Sequence, residues 1–140
     1  MNDNTAGAAG EVITAAQARR TAGHMDIGNI VAMILPVPFA MLWFGLSILV
    51  YALHRHHPNP KVGHYTQWAA YRFYGVIGAL VPVATFFPGS SLKLWLGTWA
   101  VSAAIIIPTS IWALIKIRRD SWEDTIVPPA APANEESSHG

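Results

Sequence analysis

Four histidines, His54, His56, His57 and His64, fall close together in the middle of the chain, and imidazole is a ligand for zinc, copper and iron. A metal held by His54, His56 and His57 is the first chemistry this segment allows. The spacing matches no standard site, however, and no Asp or Glu stands nearby to complete or orient one. The plainer reading is a polar, partly cationic cap at the level of lipid head groups. A buried haem would need histidines facing each other in apolar surroundings, and the apolar stretches hold none, so a haem would have to be shared with a partner.

Arg72 is the second candidate. With His64, Gln67, Tyr71 and Tyr74 it forms an aromatic and hydrogen-bonding collar ahead of an apolar run. His64, Arg72 and Tyr74 are therefore assigned as a site for a quinone head group or an anionic lipid. Ordinary interfacial anchoring competes with that assignment. Catalysis finds no support, and no catalytic residue is assigned. The carboxylates lie in the tails or at the ends of apolar stretches, and no Ser/His/Asp set, phosphate loop or nucleotide fingerprint is present. Cysteine is absent, which excludes disulfides, thiolate zinc, cysteine-ligated iron–sulfur clusters and covalently attached haem. A formal net charge of +1 supplies no field for nucleic acid. The expectation is a non-enzyme with no cofactor of its own.

The elements that must carry these residues follow from three apolar stretches, Ile27–Leu53, Phe73–Phe87 and Leu94–Ile115, none with an acidic or basic residue. Charged residues make up 12% of the chain, about half the share of a soluble domain. Crossing a bilayer as a helix takes about 20 apolar residues. The first and third stretches meet that length. The second does so when extended back to Trp68, which places Arg72 near a helix end where it can snorkel to the head groups. A re-entrant segment is the alternative there.

The predicted fold is an all-α integral membrane protein with three transmembrane helices, at about 27–53, 68–87 and 93–117. A polar amino-terminal tail (1–26) and a polar, largely disordered carboxyl tail (118–140) flank the 27–117 core. Pro88-Gly89-Ser90-Ser91 makes helices two and three a tight antiparallel hairpin, with either serine able to cap the third. Segment 54–67, with Pro58, Asn59, Pro60 and Gly63, reads as an irregular loop. Asp26 with Asn29 is expected to cap the first helix. Glu11–Ala22 could form a short surface helix, and Asp120, Glu123 and Asp124 are expected to pair with the preceding basic run, Lys116–Arg119. The first apolar run lacks a cleavage pattern and should remain as an anchor rather than be removed as a signal peptide.

Three crossings would place Arg55, Lys61, Arg72, Lys116, Arg118 and Arg119 on one side and Arg19, Arg20 and Lys93 on the other. That distribution predicts the amino terminus outside and the carboxyl terminus in the cytoplasm of a bacterial inner membrane. Pro36, Pro38, Pro82 and Pro108 interrupt the apolar runs, as in transporters, but an interior without charge argues against transport. Small residues Gly75, Gly78 and Ala79, and Gly97, Ala100 and Ala104, make surfaces where backbones can approach closely. The functional expectation is thus an accessory or assembly subunit of a larger membrane complex, respiratory or redox in kind. Its partners would be the bilayer and other transmembrane subunits or copies of itself. A small oligomeric transporter or holin-like pore is the alternative, and a metal- or quinone-binding protein the third reading.

Overall fold

Helix begins well before the first apolar stretch. A computed structural model describes residues 10–35, 37–87, 89 and 91–129. Along them run β1 (Glu11–Ile13), α1 (Ala15–Ile34), α2 (Val37–Arg55), α3 (Pro60–Phe86), α4 (Leu92–Arg119) and β2 (Thr125–Val127). Thr14 starts α1 with a capping box. Its hydroxyl accepts the Gln17 amide at 3.2 Å, while the Gln17 side chain accepts the Thr14 amide at 2.9 Å. The short surface helix expected over Glu11–Ala22 is therefore a strand followed by the first turns of a 20-residue helix. Asp26 and Asn29 cap nothing; both lie buried inside α1.

The first apolar stretch is two helices rather than one. α1 stops at Ile34, and Leu35 is extended at φ −81° and ψ 159°. Proline follows it, and the ring of a proline disfavours helical backbone in the residue before. α2 then returns, with Pro38 tolerated in its first turn. The long loop expected over 54–67 is also corrected. α2 runs to Arg55, and α3 starts at Pro60, where a proline's missing amide costs nothing. Asn59 caps α3 by accepting the Lys61 amide at 3.1 Å. Gly63 lets the two helices meet: a Cβ there would lie 2.6 Å from the Arg55 carbonyl oxygen. At the next turn Ser91 holds the cap position of α4, but its hydroxyl makes no capping bond; Ser90 lies outside the described residues.

The helices run alternately up and down. Ala18 and Ala22 of α1 pack with Val62 and Tyr65 of α3 and Ile117 of α4 at one end. Further along, Ala32 and Met33 pack with Ala40, Phe73 and Ile106. α1 thus lies parallel to α3 and antiparallel to α4, and its fully buried alanines allow close approach. Segments of α2, α3 and α4 are long and apolar enough to cross a membrane: Pro38–Arg55, Pro60–Phe86 and Leu92–Arg119. They suggest a membrane location. Pro82 and Pro108 lie inside α3 and α4 without ending them.

β1 and β2 pair antiparallel, with Val12 opposite Ile126. Hydrogen-bonded strands lie at one end of the helices, so the tails expected on opposite sides of a membrane are together. The first part of the carboxyl tail carries β2; residues 130–140, where most of the expected disorder falls, and 1–9 lie outside the described residues. Trp122 donates to the Ile117 carbonyl at 2.8 Å. Asp120 pairs with Lys61 at 2.9 Å instead of with the basic run beside it, and Asp124 accepts the Ala15 amide at 2.6 Å.

The Asp120 carboxylate accepts from the Lys61 ammonium and from the Tyr65 hydroxyl at 2.8 Å, and these bonds hold its pKa below the usual value. In an unfolded chain such a group titrates near about 3.9. A depressed folded-state pKa stabilises fully above that value and is lost as pH falls through the folded one. Amide exchange in Thr125–Val127, corrected for its intrinsic rate, is expected to stay protected from pH 7 to about 5 and to lose protection below about 4. Asp120→Asn should show the faster exchange at neutral pH and no acid step.

Candidate functional site

α3 presents Val62, Thr66, Ala69 and Phe73 as its buried face, the a/d-like spacing of a helix packed on another helix. Arg72 stands at the edge of that face and reaches across to α1. Its Nη2 donates to Asp26 Oδ1 at 2.7 Å; the Asp26 side chain is fully buried and that of Arg72 is 23% exposed. Ser110 of α4 interacts with the same carboxyl and is itself buried. One turn further along α1, Asn29 donates to the Ala69 carbonyl at 3.2 Å and accepts the Trp43 indole N–H at 2.9 Å. The Trp43 ring packs against Gly28, where a Cβ would fall 1.9 Å from it. A polar seam therefore ties α1 to α2, α3 and α4 at mid-depth.

Burying two charges is expensive, and their attraction repays it only with good geometry and further hydrogen bonds. Arg72 is thus not snorkelling to a surface, and the interior is not free of charge. Asp26 Oδ2, Arg72 Nε and Thr66 Oγ1 are buried atoms with no hydrogen-bond partner among the described residues.

The expected collar forms only in part. His64 and Arg72 line a cavity of about 250 Å³ with Tyr65, Trp68, Trp112 and Lys116. Tyr74 points elsewhere, its hydroxyl 3.0 Å from Ser47 Oγ and its ring edge-on to Phe44 of α2. Gln67 donates to the Tyr71 hydroxyl at 2.6 Å on the exposed face of α3.

The histidines are not gathered by the loop that carries them. His54 faces His24 of α1, with ring centroids 5.7 Å apart. His57 Nδ1 accepts the Asn59 amide at 3.1 Å, and His56 is exposed. Among the described residues, no group of three or more His, Asp or Glu side chains is placed to hold a metal ion.

The small residues do not serve the α3–α4 contact. Gly75, Gly78, Ala79, Gly97, Ala100 and Ala104 are all exposed. A Cβ added at Gly75, Gly78 or Gly97 would meet nothing within 4 Å. Gly75, Ala79 and Gly97 border a groove of about 620 Å³ between α3 and α4, whose floor includes Ser102.

Neither the Asp26–Arg72 pair nor the approach of His24 to His54 is read from the sequence alone. The pair leaves one trace: each residue is the last charge before an apolar run, with opposite sign. No family model, curated protein or solved structure matches this chain.

Asp26→Ala or Arg72→Ala alone is expected to lower the unfolding free energy by about 3–5 kcal/mol, because each leaves the other charge buried. The double change Asp26→Leu/Arg72→Met should cost less than either. Thermal unfolding in detergent micelles, analysed as a mutant cycle, checks both.

Proposed function

We propose that this chain is a small integral membrane protein that works by docking on other membrane subunits. In this reading it is an accessory or assembly subunit of a larger complex, respiratory or redox in kind, in a bacterial inner membrane. The observation that carries the reading is the open small-residue face of α3 and α4. A helical glycine costs about 1 kcal/mol relative to alanine. Among the described residues, a Cβ at Gly75, Gly78 or Gly97 would touch nothing, which supports a use for these glycines against another backbone.

A second reading, a homo-oligomeric transporter or pore, is favoured by the Asp26–Arg72 pair, since an ionisable group inside a membrane bundle is a functional candidate. Mutual neutralisation of the two charges places it second.

Both tails are proposed to face the cytoplasm. Arg19, Arg20, Arg55, Lys61, Arg72, Lys116, Arg118 and Arg119 all fall in the half of the bundle that carries β1 and β2, and Lys93 lies at the other end. That asymmetry is the positive-inside pattern.

Mild detergent extraction, native gels and mass spectrometry are expected to find a stable heteromeric partner. Gly75→Leu with Gly97→Leu should release that partner without lowering the melting temperature. A lone monomer overturns the reading, and an assembly of this chain alone transfers support to the pore. The chain has no cysteine to interfere with labelling. Ala16→Cys, His56→Cys and Ser121→Cys should react from the cytoplasm and Ser91→Cys from outside.

A further inference from the structure

The arginines of α1 and α4 meet in a second groove, far from the small-residue face. Arg19, Arg20, Gly23 and Ile27 of α1 and Leu114, Ile117 and Arg118 of α4 line a cavity of about 370 Å³. The antiparallel packing of the two helices brings the early turns of one beside the last turns of the other. The groove is graded along its length. Arg19, Arg20 and Arg118 lie in the turns nearer the strand-bearing end, and Gly23, Ile27 and Leu114 line the groove further toward the middle of the bundle. Gly23 lets α1 pack closely on α4 at that apolar floor, because a Cβ there would press on Leu114 Cδ2 at 3.1 Å.

Among the described residues, no carboxylate lines the groove. Asp26 is taken by Arg72 and Asp120 by Lys61, and these are the ion pairs among the described residues. Three like charges at close quarters repel and call for an anion. The apolar floor narrows the choice. A soluble anion would use the arginines alone, whereas Ile27 and Val31, one turn apart on α1 and 50% and 46% exposed, extend an apolar track away from them.

We propose that this groove binds an anionic phospholipid, with its head-group phosphate among Arg19, Arg20 and Arg118 and an acyl chain along Ile27 and Leu114. Basic pockets between helices on the cytoplasmic side take such head groups. The inference rests on the proposed membrane placement. Carbonate extraction tests that placement separately, so the two can fail independently.

The test uses the full chain in mild detergent, with phosphatidylglycerol or phosphatidylcholine added, followed by native mass spectrometry. Phosphatidylglycerol is expected to be retained on the order of a hundredfold over phosphatidylcholine, with each of the three arginines contributing about fivefold. Arg118→Gln should weaken retention by about that factor, and Arg19→Gln/Arg20→Gln/Arg118→Gln should remove the head-group preference. Arg118→Lys should keep most of it, which separates loss of charge from loss of fold. Arg119→Gln, outside the groove, should change nothing, and Ile27→Ser should weaken retention of phosphatidylglycerol. Equal retention of the two lipids, or an equal loss in the Arg119→Gln protein, overturns the proposal. Displacement of the lipid by millimolar inorganic phosphate overturns it in favour of a soluble anion.

Discussion

A carboxylate with no exposed surface needs a cation brought to it, and in this bundle Arg72 is brought to Asp26. The two meet because α1 runs beside α3 with both residues at one depth. Asp26 then cannot sit at the edge of the bundle as a helix cap, and the part of α1 before it must be helical as well. The remaining consequences follow in order. α1 uses up the first part of the apolar stretch, the chain turns after Leu35, and α2 comes back toward the end where α1 began. β1 is thereby left within hydrogen-bonding reach of β2. Asn29, one turn beyond Asp26, extends the same seam to Ala69 and Trp43, so one face of α1 is tied to α2 and α3.

The apolar runs were legible because each is long and free of charge, a property that local composition carries by itself. α4 is close to its expected bounds for that reason. Where composition conflicted with helix chemistry, composition misled. Thr14 and Gln17 make a start signal that begins thirteen residues ahead of Ile27, yet the polar residues between hid the helix that follows. Pro60 read as a breaker when it stands at a first turn, and Gly63 read as loop when it lets one helix touch another.

The candidate sites were less legible than the helices, since a site depends on which faces meet. Tyr74 lies two residues from Arg72, and on a helix residues so spaced do not share a face, so the hydroxyl finds Ser47 while the guanidinium finds Asp26. His24 lies thirty residues from His54 and meets it only because of the turn after Leu35. The error about an interior without charge has the same origin. Asp26 and Arg72 each lie just outside an apolar run in sequence, and the overlap of α1 with α3 puts them inside.

Helix length explains why the bundle is well packed at one end and open at the other. α1 and α2 have 20 and 19 residues, whereas α3 and α4 have 27 and 28. At 1.5 Å per residue that is roughly 30 Å against roughly 40 Å. At the strand-bearing end all four helices overlap; Lys61 is matched there by Asp120, and Arg19, Arg20 and Arg118 are gathered at a groove. Toward the other end the last turns of α3 and the first of α4 outrun their neighbours, leaving Phe86 and Leu92 about three-quarters exposed. There the chain has too few helices to cover its own apolar surface. The division of labour proposed here, charge recognition at one end and helix docking at the other, follows from two short helices packed beside two long ones.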